Sequence, residues 1–135
     1  MALVDVVVVT FNSAREIRSC VEPLSRDESV RVIVVDNASS DDTLGSVADL
    51  PVETVLLNVN KGFAHGCNEG WRRGNSPLVL FLNPDARITS DGLHHLVREL
   101  QGADGAGAAA PKILHADGTL DYSQRRFPSL VSTYA

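Results

Sequence analysis

Two carboxylates stand directly after apolar runs in this 135-residue chain: Asp36 follows residues 30–35, and Asp85 follows residues 78–82 by way of Asn83 and Pro84. A carboxylate at a strand end accepts two hydrogen bonds from a ribose or a base N–H. The same group can instead cap the following helix, a role open equally to Ser39 and Asp42. Its place beyond the carboxyl end of a strand favours the ligand role for Asp36. Asp85 has Asn83 two residues before it, and Pro84 stiffens the turn that lets the two side chains converge. One carboxylate oxygen and one amide oxygen suit a hard cation, Mg²⁺ or Mn²⁺, bridging to diphosphate oxygens. Taken alone, Asn-Pro-Asp is better explained as an Asx turn at a strand exit. Beside Asp36 and a glycine-rich segment, the metal reading is the stronger one.

That segment is Asn60-Lys61-Gly62-Phe63-Ala64-His65-Gly66-Cys67-Asn68-Glu69-Gly70. It is neither a Walker A loop nor a G-x-G-x-x-G fingerprint. Gly62, Gly66 and Gly70 would form one smooth face on a helix, and for Gly66 and Gly70 close packing on a sheet is the preferred account. Lys61 and the helix N-terminus behind it are placed to face phosphate. His65, Arg72 and Arg73 read as ordinary surface residues. Arg125-Arg126, in a loop before Phe127-Pro128, fits contact with donor or acceptor as well as it fits plain exposure. A net charge of −5 argues against a nucleic-acid partner. The two cysteines, Cys20 and Cys67, are too few and too far apart for a disulfide framework or a zinc site.

The elements that must position these groups alternate. Residues 4–9 are almost pure valine and end in Thr10-Phe11-Asn12; such runs read as parallel strands covered on both faces. Ser13-Ala14-Arg15-Glu16 fits a capping box opening a helix whose apolar face is Ile17, Cys20, Val21 and Leu24. Residues 30–35 form a second strand. The run from Asp36 to Thr43 is rich in N-cap residues, which predicts a helix from there to about Leu50. Residues 52–57 and 78–82 give a third and a fourth strand. Leu93, Leu96, Val97 and Leu100 mark another helix, stopping at Gly102. Around Asp117-Gly118, residues 112–114 and 119–122 suggest a hairpin.

Strand and helix alternating four times argue an α/β fold, a mostly parallel Rossmann-like sheet with flanking helices, in one domain covering 1–135. No run is long enough for a membrane helix and no leader precedes the first strand, so a soluble cytoplasmic protein is expected. Residues 127–135 carry no stop signal, and the domain reads as cut off at its C-terminus. Oligomeric state is left open by the sequence, although a chain lacking half its domain exposes sheet or core surface that a homo-oligomer would cover.

In this order the motifs resemble those of the inverting nucleotide-sugar glycosyltransferases of family two, with the GT-A fold, and in particular their bacterial rhamnosyltransferase-like branch. The resemblance rests on Val6-Val7-Val8-Val9-Thr10-Phe11-Asn12, Val35-Asp36-Asn37-Ala38-Ser39-Ser40-Asp41-Asp42-Thr43, Asn60-Lys61-Gly62 with Gly66, Asn68 and Gly70, Phe81-Leu82-Asn83-Pro84-Asp85, and Arg125-Arg126-Phe127-Pro128-Ser129. It implies a nucleotide-diphospho-sugar donor bound by Thr10, Phe11, Asn12, Asp36, Asn37, Lys61, Gly62, Asn68, Asn83 and Asp85. Among these Thr10, Phe11 and Asp36 resemble base and ribose contacts, and Asp85 the metal-binding carboxylate of the D-x-D motif. Asn83 stands where the first Asp of that motif is common. The implied acceptor is a carbohydrate or lipid-linked hydroxyl, which places the work in the cytoplasm or at the inner face of the membrane in cell-wall or polysaccharide synthesis.

An inverting transfer needs a general base. In the family it is a carboxylate downstream of D-x-D, and no segment here matches it. Asp117 and Asp121 are available carboxylates, but Asp117 is better explained by its Asp-Gly turn and neither lies in a matching segment, so no base is assigned. The alternative to an enzyme is a nucleotide-sugar-binding module or fragment that lacks the base. A nucleotidyltransferase would carry a Gly-rich basic loop after the first strand, and Thr10-Phe11-Asn12-Ser13 is not one. A phosphoacceptor domain would carry an acidic pair there and a lone Asp after the third strand; neither is present.

Overall fold

A computed structural model describes residues 2–121. Of these, residues 2–94 belong to one compact unit and residues 95–121 to a second. The first unit is built on four strands, β1 (Val4–Thr10), β2 (Val30–Asp36), β3 (Glu53–Leu56) and β4 (Leu78–Leu82), in the order β3-β2-β1-β4. Every pairing is parallel: Val4 to Thr10 align with Val30 to Asp36, Val4 to Val8 with Leu78 to Leu82, and Ile33 to Asp36 with Glu53 to Leu56.

The valine runs behave as two-sided strands. All seven residues of β1 are buried, and all of β2 except Arg31. The outer strands alternate instead: Val79 and Phe81 of β4 are 39% and 46% exposed. Helix α1 (Ile17–Ser25) connects β1 to β2, and α2 (Phe63–Arg73) connects β3 to β4. These two crossovers run in opposite directions along the sheet, and right-handed connections therefore put their helices on opposite faces. On the α2 face Val7, Val9, Ile33, Val35 and Val55 form one apolar cluster, with Leu57 and Cys67 packed against it. The alternate residues Val6, Val8, Val32 and Val34 point the other way, and α1 buries Ile17, Cys20, Val21 and Leu24.

Gly66 and Gly70 explain how α2 lies so close. A Cβ on Gly66 would stand 2.5 Å from a Val9 methyl, and one on Gly70 2.3 Å from a Val7 methyl. The packing role expected for these two glycines is the observed one.

Two expectations about helices are corrected. The capping box does not form: α1 begins at Ile17, and the Ser13 hydroxyl donates to the Phe11 carbonyl. The Ser13 carbonyl instead accepts Glu16 and Ile17 N–H, so residues 13–16 make a turn ahead of the helix. The helix expected to reach Leu50 is only a 3₁₀ turn, Gly45–Val47. The short polar side chains before it bond backbone and neighbours locally, as with Ser39 N–H on Asp36 and Thr43 N–H on Asp41. Such bonds offer the chain an alternative to the helical ladder.

Helix α3 (Ser90–Gly102) starts in the first unit, where Asp27 fixes its first turns. The Asp27 carboxylate accepts from Ser90 Oγ and pairs with His94 Nε2 at 2.8 Å, while also accepting Ser29 N–H and Oγ–H. In the second unit β5 (Ile113–Leu114) and β6 (Leu120–Asp121) pair antiparallel, with Gly118 at φ +82° in the turn. The hairpin expected around Asp117-Gly118 is therefore present. Asp117 accepts Thr119 N–H at 2.9 Å and Thr119 Oγ–H at 2.6 Å. Arg125-Arg126 and the Phe127-Pro128-Ser129 motif lie outside the described residues.

Candidate nucleotide-sugar site

Strand order reverses direction between β1 and β4, since β1 leads outward to β2 and β3 on one side and β4 lies on the other. A crevice beyond the carboxyl ends of the strands at such a switch point is where open α/β sheets bind ligands. Here that edge is polar and extensively cross-linked.

Thr10 and Asp36 end β1 and β2 side by side in register, and both are buried, at 0% and 2% exposure. Thr10 Oγ1 donates to Asp36 Oδ1 at 3.1 Å. Ser39 adds two more donors to Asp36, its hydroxyl on Oδ1 and its N–H on Oδ2 at 3.0 Å. A carboxylate has about four acceptor sites. Three are filled by the protein, which leaves one on Oδ2. Asp36 thus does the work of a loop anchor, whatever else it binds.

Past the strands the chain turns sharply. Asn12 and Ala38 both sit in the left-handed region, with φ of +54° and +65°. Asn12 justifies the conformation through its bonds: its N–H donates to Ser39 Oγ at 2.9 Å, and its Oδ1 accepts Ser40 N–H at 2.8 Å. The two strand-end loops are also tied by Ser13 N–H on Thr43 Oγ1 and Ala14 N–H on Asp41 Oδ2. Phe11 is 51% exposed, an aromatic side chain held at the rim between the buried Thr10 and the hydrogen-bonded Asn12.

Asn37 continues the network on the α2 side. Its N–H donates to the Thr10 carbonyl, its Nδ2 to Asn60 Oδ1 at 2.9 Å, and its Oδ1 accepts Lys61 N–H at 3.2 Å. Asn60 Oδ1 also accepts Gly62 N–H at 2.9 Å. Gly62, the N-cap of α2, has φ +88° and ψ 168°, a conformation that requires glycine. Asn37 thereby fixes the entry of α2, with the exposed Lys61 side chain beside the amino end of that helix.

Asn83 and Asp85 leave β4 at the same edge. β4 ends at Leu82, opposite Val8, and residues 83–86 then turn back over α1, with Ala86 N–H on the Asn83 carbonyl at 3.0 Å. Both side chains are exposed, and neither makes a hydrogen bond or ion pair among the described residues. They line an open hollow of about 390 Å³ with Pro84, Ser13 and Glu16. Strand spacing of about 4.8 Å sets the ends of β2 and β4 about 10 Å apart across β1.

The structure thus brings together Thr10, Asn12, Asp36, Asn37, Lys61 and Gly62 through hydrogen bonds, with Phe11 among them and Asn83 and Asp85 at the adjoining strand end. Asn68 stands apart: it lies exposed in the second turn of α2, and no hydrogen bond joins it to the others. Sequence reasoning missed Asn60, Ser39, Ser40 and Thr43 as parts of the framework. For Ser39, Ser40 and Thr43 the signal was the polar run after β2, which was read as helix caps; Asn60 opens the glycine-rich segment that follows β3. It also passed over Asp5, buried in β1 at the opposite edge of the sheet. That carboxylate accepts Asn75 N–H, Ser76 N–H and Ser76 Oγ–H at 2.7–2.9 Å and pins the loop entering β4.

The donor set suits a divalent cation. Asp85 supplies an uncommitted carboxylate and Asn83 an uncommitted amide oxygen, and no cluster of three His, Cys, Asp or Glu side chains occurs among the described residues. Mg²⁺ and Mn²⁺ sites built on one carboxylate take further ligands from substrate phosphates and water. Cys20, directly beneath on α1, is not a ligand candidate. Burial pushes its thiol up to about 11, and its Sγ–H donates to the Asn83 carbonyl.

Known proteins share this fold. A mannosyltransferase, PcManGT from Pyrobaculum calidifontis, solved in complex with GDP-Man and Mn²⁺, superposes with a TM-score of 0.66 at 29% identity, covering 76% of this chain and 33% of that one. S. aureus TarS 1-349 in complex with UDP also gives 0.66, at 21% identity over 88% of this chain and 43% of that one, and so shares the fold. Among curated sequences, the succinoglycan biosynthesis protein ExoO of Rhizobium meliloti (strain 1021) is 32% identical over 110 residues, 78% of this chain. The glycosyltransferase YfnE of Bacillus subtilis (strain 168) is 29% identical over 94 residues, 64% of this chain. The chain spans 31% and 24% of the length of these two relatives. Among the described residues no helix is long and apolar enough to cross a membrane. The family profile described as glycosyl transferase family 2 matches residues 5–134, nearly the whole sequence, and the chain belongs to that family.

Proposed function

We propose that this chain holds the nucleotide of a nucleotide-diphospho-sugar in an enzyme that transfers the sugar, with inversion and metal assistance, to an acceptor hydroxyl. The observation that carries the proposal is the contrast at one sheet edge. A polar network fixes the ends of β1 and β2 and leaves one acceptor site on Asp36, and beside it Asp85 and Asn83 remain uncommitted.

Each part has a task. Phe11 offers a rigid aromatic rim for the base, with Thr10 and Asp36 beneath it and one Asp36 acceptor site left for a ribose hydroxyl or base N–H. Asn12 and Asn37 hold the walls. Lys61 and the amino end of α2 face the diphosphate, where a cation and oriented N–H groups favour negative charge. Asp85 and Asn83 would hold Mg²⁺ or Mn²⁺, which would supply positive charge against the nucleoside diphosphate leaving group. Asn68, remote from these bonds, belongs to the site only if the donor reaches along α2. The Mn²⁺ and GDP-Man bound to PcManGT, 29% identical, support the metal and donor classes. The likeness to ExoO supports a role in polysaccharide synthesis. A rhamnose-type donor sugar, a carbohydrate or lipid-linked acceptor and a cytoplasmic location belong to the same proposal.

No residue described here takes the role of general base. Asp117 is committed to its turn. That commitment favours a second reading, a donor-binding module with no turnover of its own, and product formation with an added acceptor separates the two.

Calorimetric titration of UDP and GDP, with and without Mn²⁺, tests the site. Asp85→Ala should remove the Mn²⁺-dependent gain in affinity and leave the metal-free affinity intact. Asp36→Ala should weaken nucleotide binding in both conditions. Unchanged Mn²⁺-dependent affinity in the Asp85 variant would take that residue out of the site.

A further inference from the structure

The loop carrying Asn83 and Asp85 is tethered to α1 at two consecutive residues of that helix, Ser19 and Cys20, and the tether to Ser19 is an arginine. Arg87 lies two residues beyond Asp85. Its Nη1 donates to the Ala86 carbonyl at 2.8 Å and to the Pro84 carbonyl at 3.4 Å, and its Nη2 donates to Ser19 Oγ at 2.5 Å. The next residue of the helix, the buried Cys20, donates its Sγ–H to the Asn83 carbonyl at 3.4 Å. The Ala86 N–H closes the same loop onto the Asn83 carbonyl at 3.0 Å.

We propose that Arg87 is a positioning residue for the cation site: its guanidinium holds the Pro84 and Ala86 carbonyls against Ser19 and so fixes the peptide that presents Asp85. The inference rests on the metal role proposed for Asp85. A guanidinium suits this task better than an ammonium. Its planar fork reaches two carbonyls and a hydroxyl at once, whereas a lysine head is a single compact charge. It also bonds nothing anionic among the described residues, so its charge is directed to backbone oxygens that would otherwise meet only water. Partners behind a ligand orient it, and their loss typically costs a metal site about 10-fold to 100-fold in affinity.

The full 135-residue chain serves for the test, with wild type, Arg87→Ala, Arg87→Lys, Ser19→Ala and the Arg87→Ala/Ser19→Ala double variant. Affinities for UDP and GDP are measured with and without Mn²⁺, and alkylation of Cys20 by iodoacetamide is followed by mass spectrometry with Cys67 as internal reference. Arg87→Ala and Arg87→Lys should cut the Mn²⁺-dependent gain by about 10-fold, leave metal-free affinity within about twofold, and speed alkylation of Cys20 relative to Cys67. Ser19→Ala should cost less, and it should add almost nothing to Arg87→Ala, because the two share one tether. An Arg87→Ala chain with wild-type Mn²⁺ gain and wild-type Cys20 protection would overturn the inference, provided Asp85→Ala abolishes that gain. Equal losses with and without Mn²⁺ would also overturn it, reducing Arg87 to general support of the fold. Wild type and Asp85→Ala showing the same absence of Mn²⁺ effect would overturn the metal reading itself, and the inference with it.

Discussion

Asp36 and Asp27 are both half of a strand-end or loop junction, yet one can serve a ligand and the other cannot. Asp36 ends its strand at the switch-point edge of the sheet and keeps an acceptor site; Asp27 spends its carboxylate on Ser29, Ser90 and His94. The Ser29 hydroxyl, then the Ser90 hydroxyl and the Ser29 N–H, hold the Asp27 carboxyl well below the usual carboxylate range. A carboxyl depressed in the folded state stabilises the fold above its unfolded pKa of about 4 and loses that contribution as pH falls toward the folded value. Thermal melts from pH 6 down to pH 2.5 should therefore show a steeper acid loss in wild type than in Asp27→Asn. Parallel curves would mean that Asp27 does not link α3 to the loop before β2 in solution. At this scale the sequence was legible where a residue follows a strand: Thr10, Asp36, Asn37, Asn83 and Asp85 were all found by that rule. Arg87 and Asp5 were not, because a guanidinium on carbonyls and a carboxylate on loop N–H groups leave no mark in residue spacing.

Among the elements, α2 shows most plainly how sequence sets geometry. Gly66 and Gly70 let its backbone lie on Val9 and Val7, which brings the amino end of the helix, with Gly62 and Lys61, beside Asn37. Gly70→Ala should destabilise the fold by about 1–3 kcal/mol, the usual cost of overpacking a filled interface. Gly102→Ala, where a new Cβ meets nothing within 4 Å, should be neutral or mildly stabilising. Urea titrations of both variants check the contrast, and equal midpoints would contradict the packing assigned to α2. The valine runs made β1 and β2 readable, and the 3.6-residue pattern made α1 and α3 readable. The segment from Asp36 to Leu50 misled for a physical reason: the side chains that cap helices also close turns, and periodicity does not say which they will do. Here Asp41 and Asp36 took the backbone N–H groups, and only Gly45–Val47 remained helical.

At the scale of the whole sheet, a strand order of β3-β2-β1-β4 gathers three polar strand ends on one edge and leaves Asp5, with its loop at 75–76, on the other. The central claim is that the first of these edges is a single site. Paramagnetic broadening by Mn²⁺ in the presence of UDP or GDP, read on assigned backbone amides, tests it most directly. Broadening falls steeply with distance from the ion, so the order in which amides vanish maps where the ion sits. The account predicts that amides of Asp85, Ala86, Phe11 and Asn12 disappear first at substoichiometric Mn²⁺, that those of Asn37 and Gly62 follow, and that those of Asn75 and Ser76 stay sharp. Broadening centred on Asn75 and Ser76, or broadening near Asp85 that spares Phe11 and Asn12, would contradict a shared nucleotide and cation site.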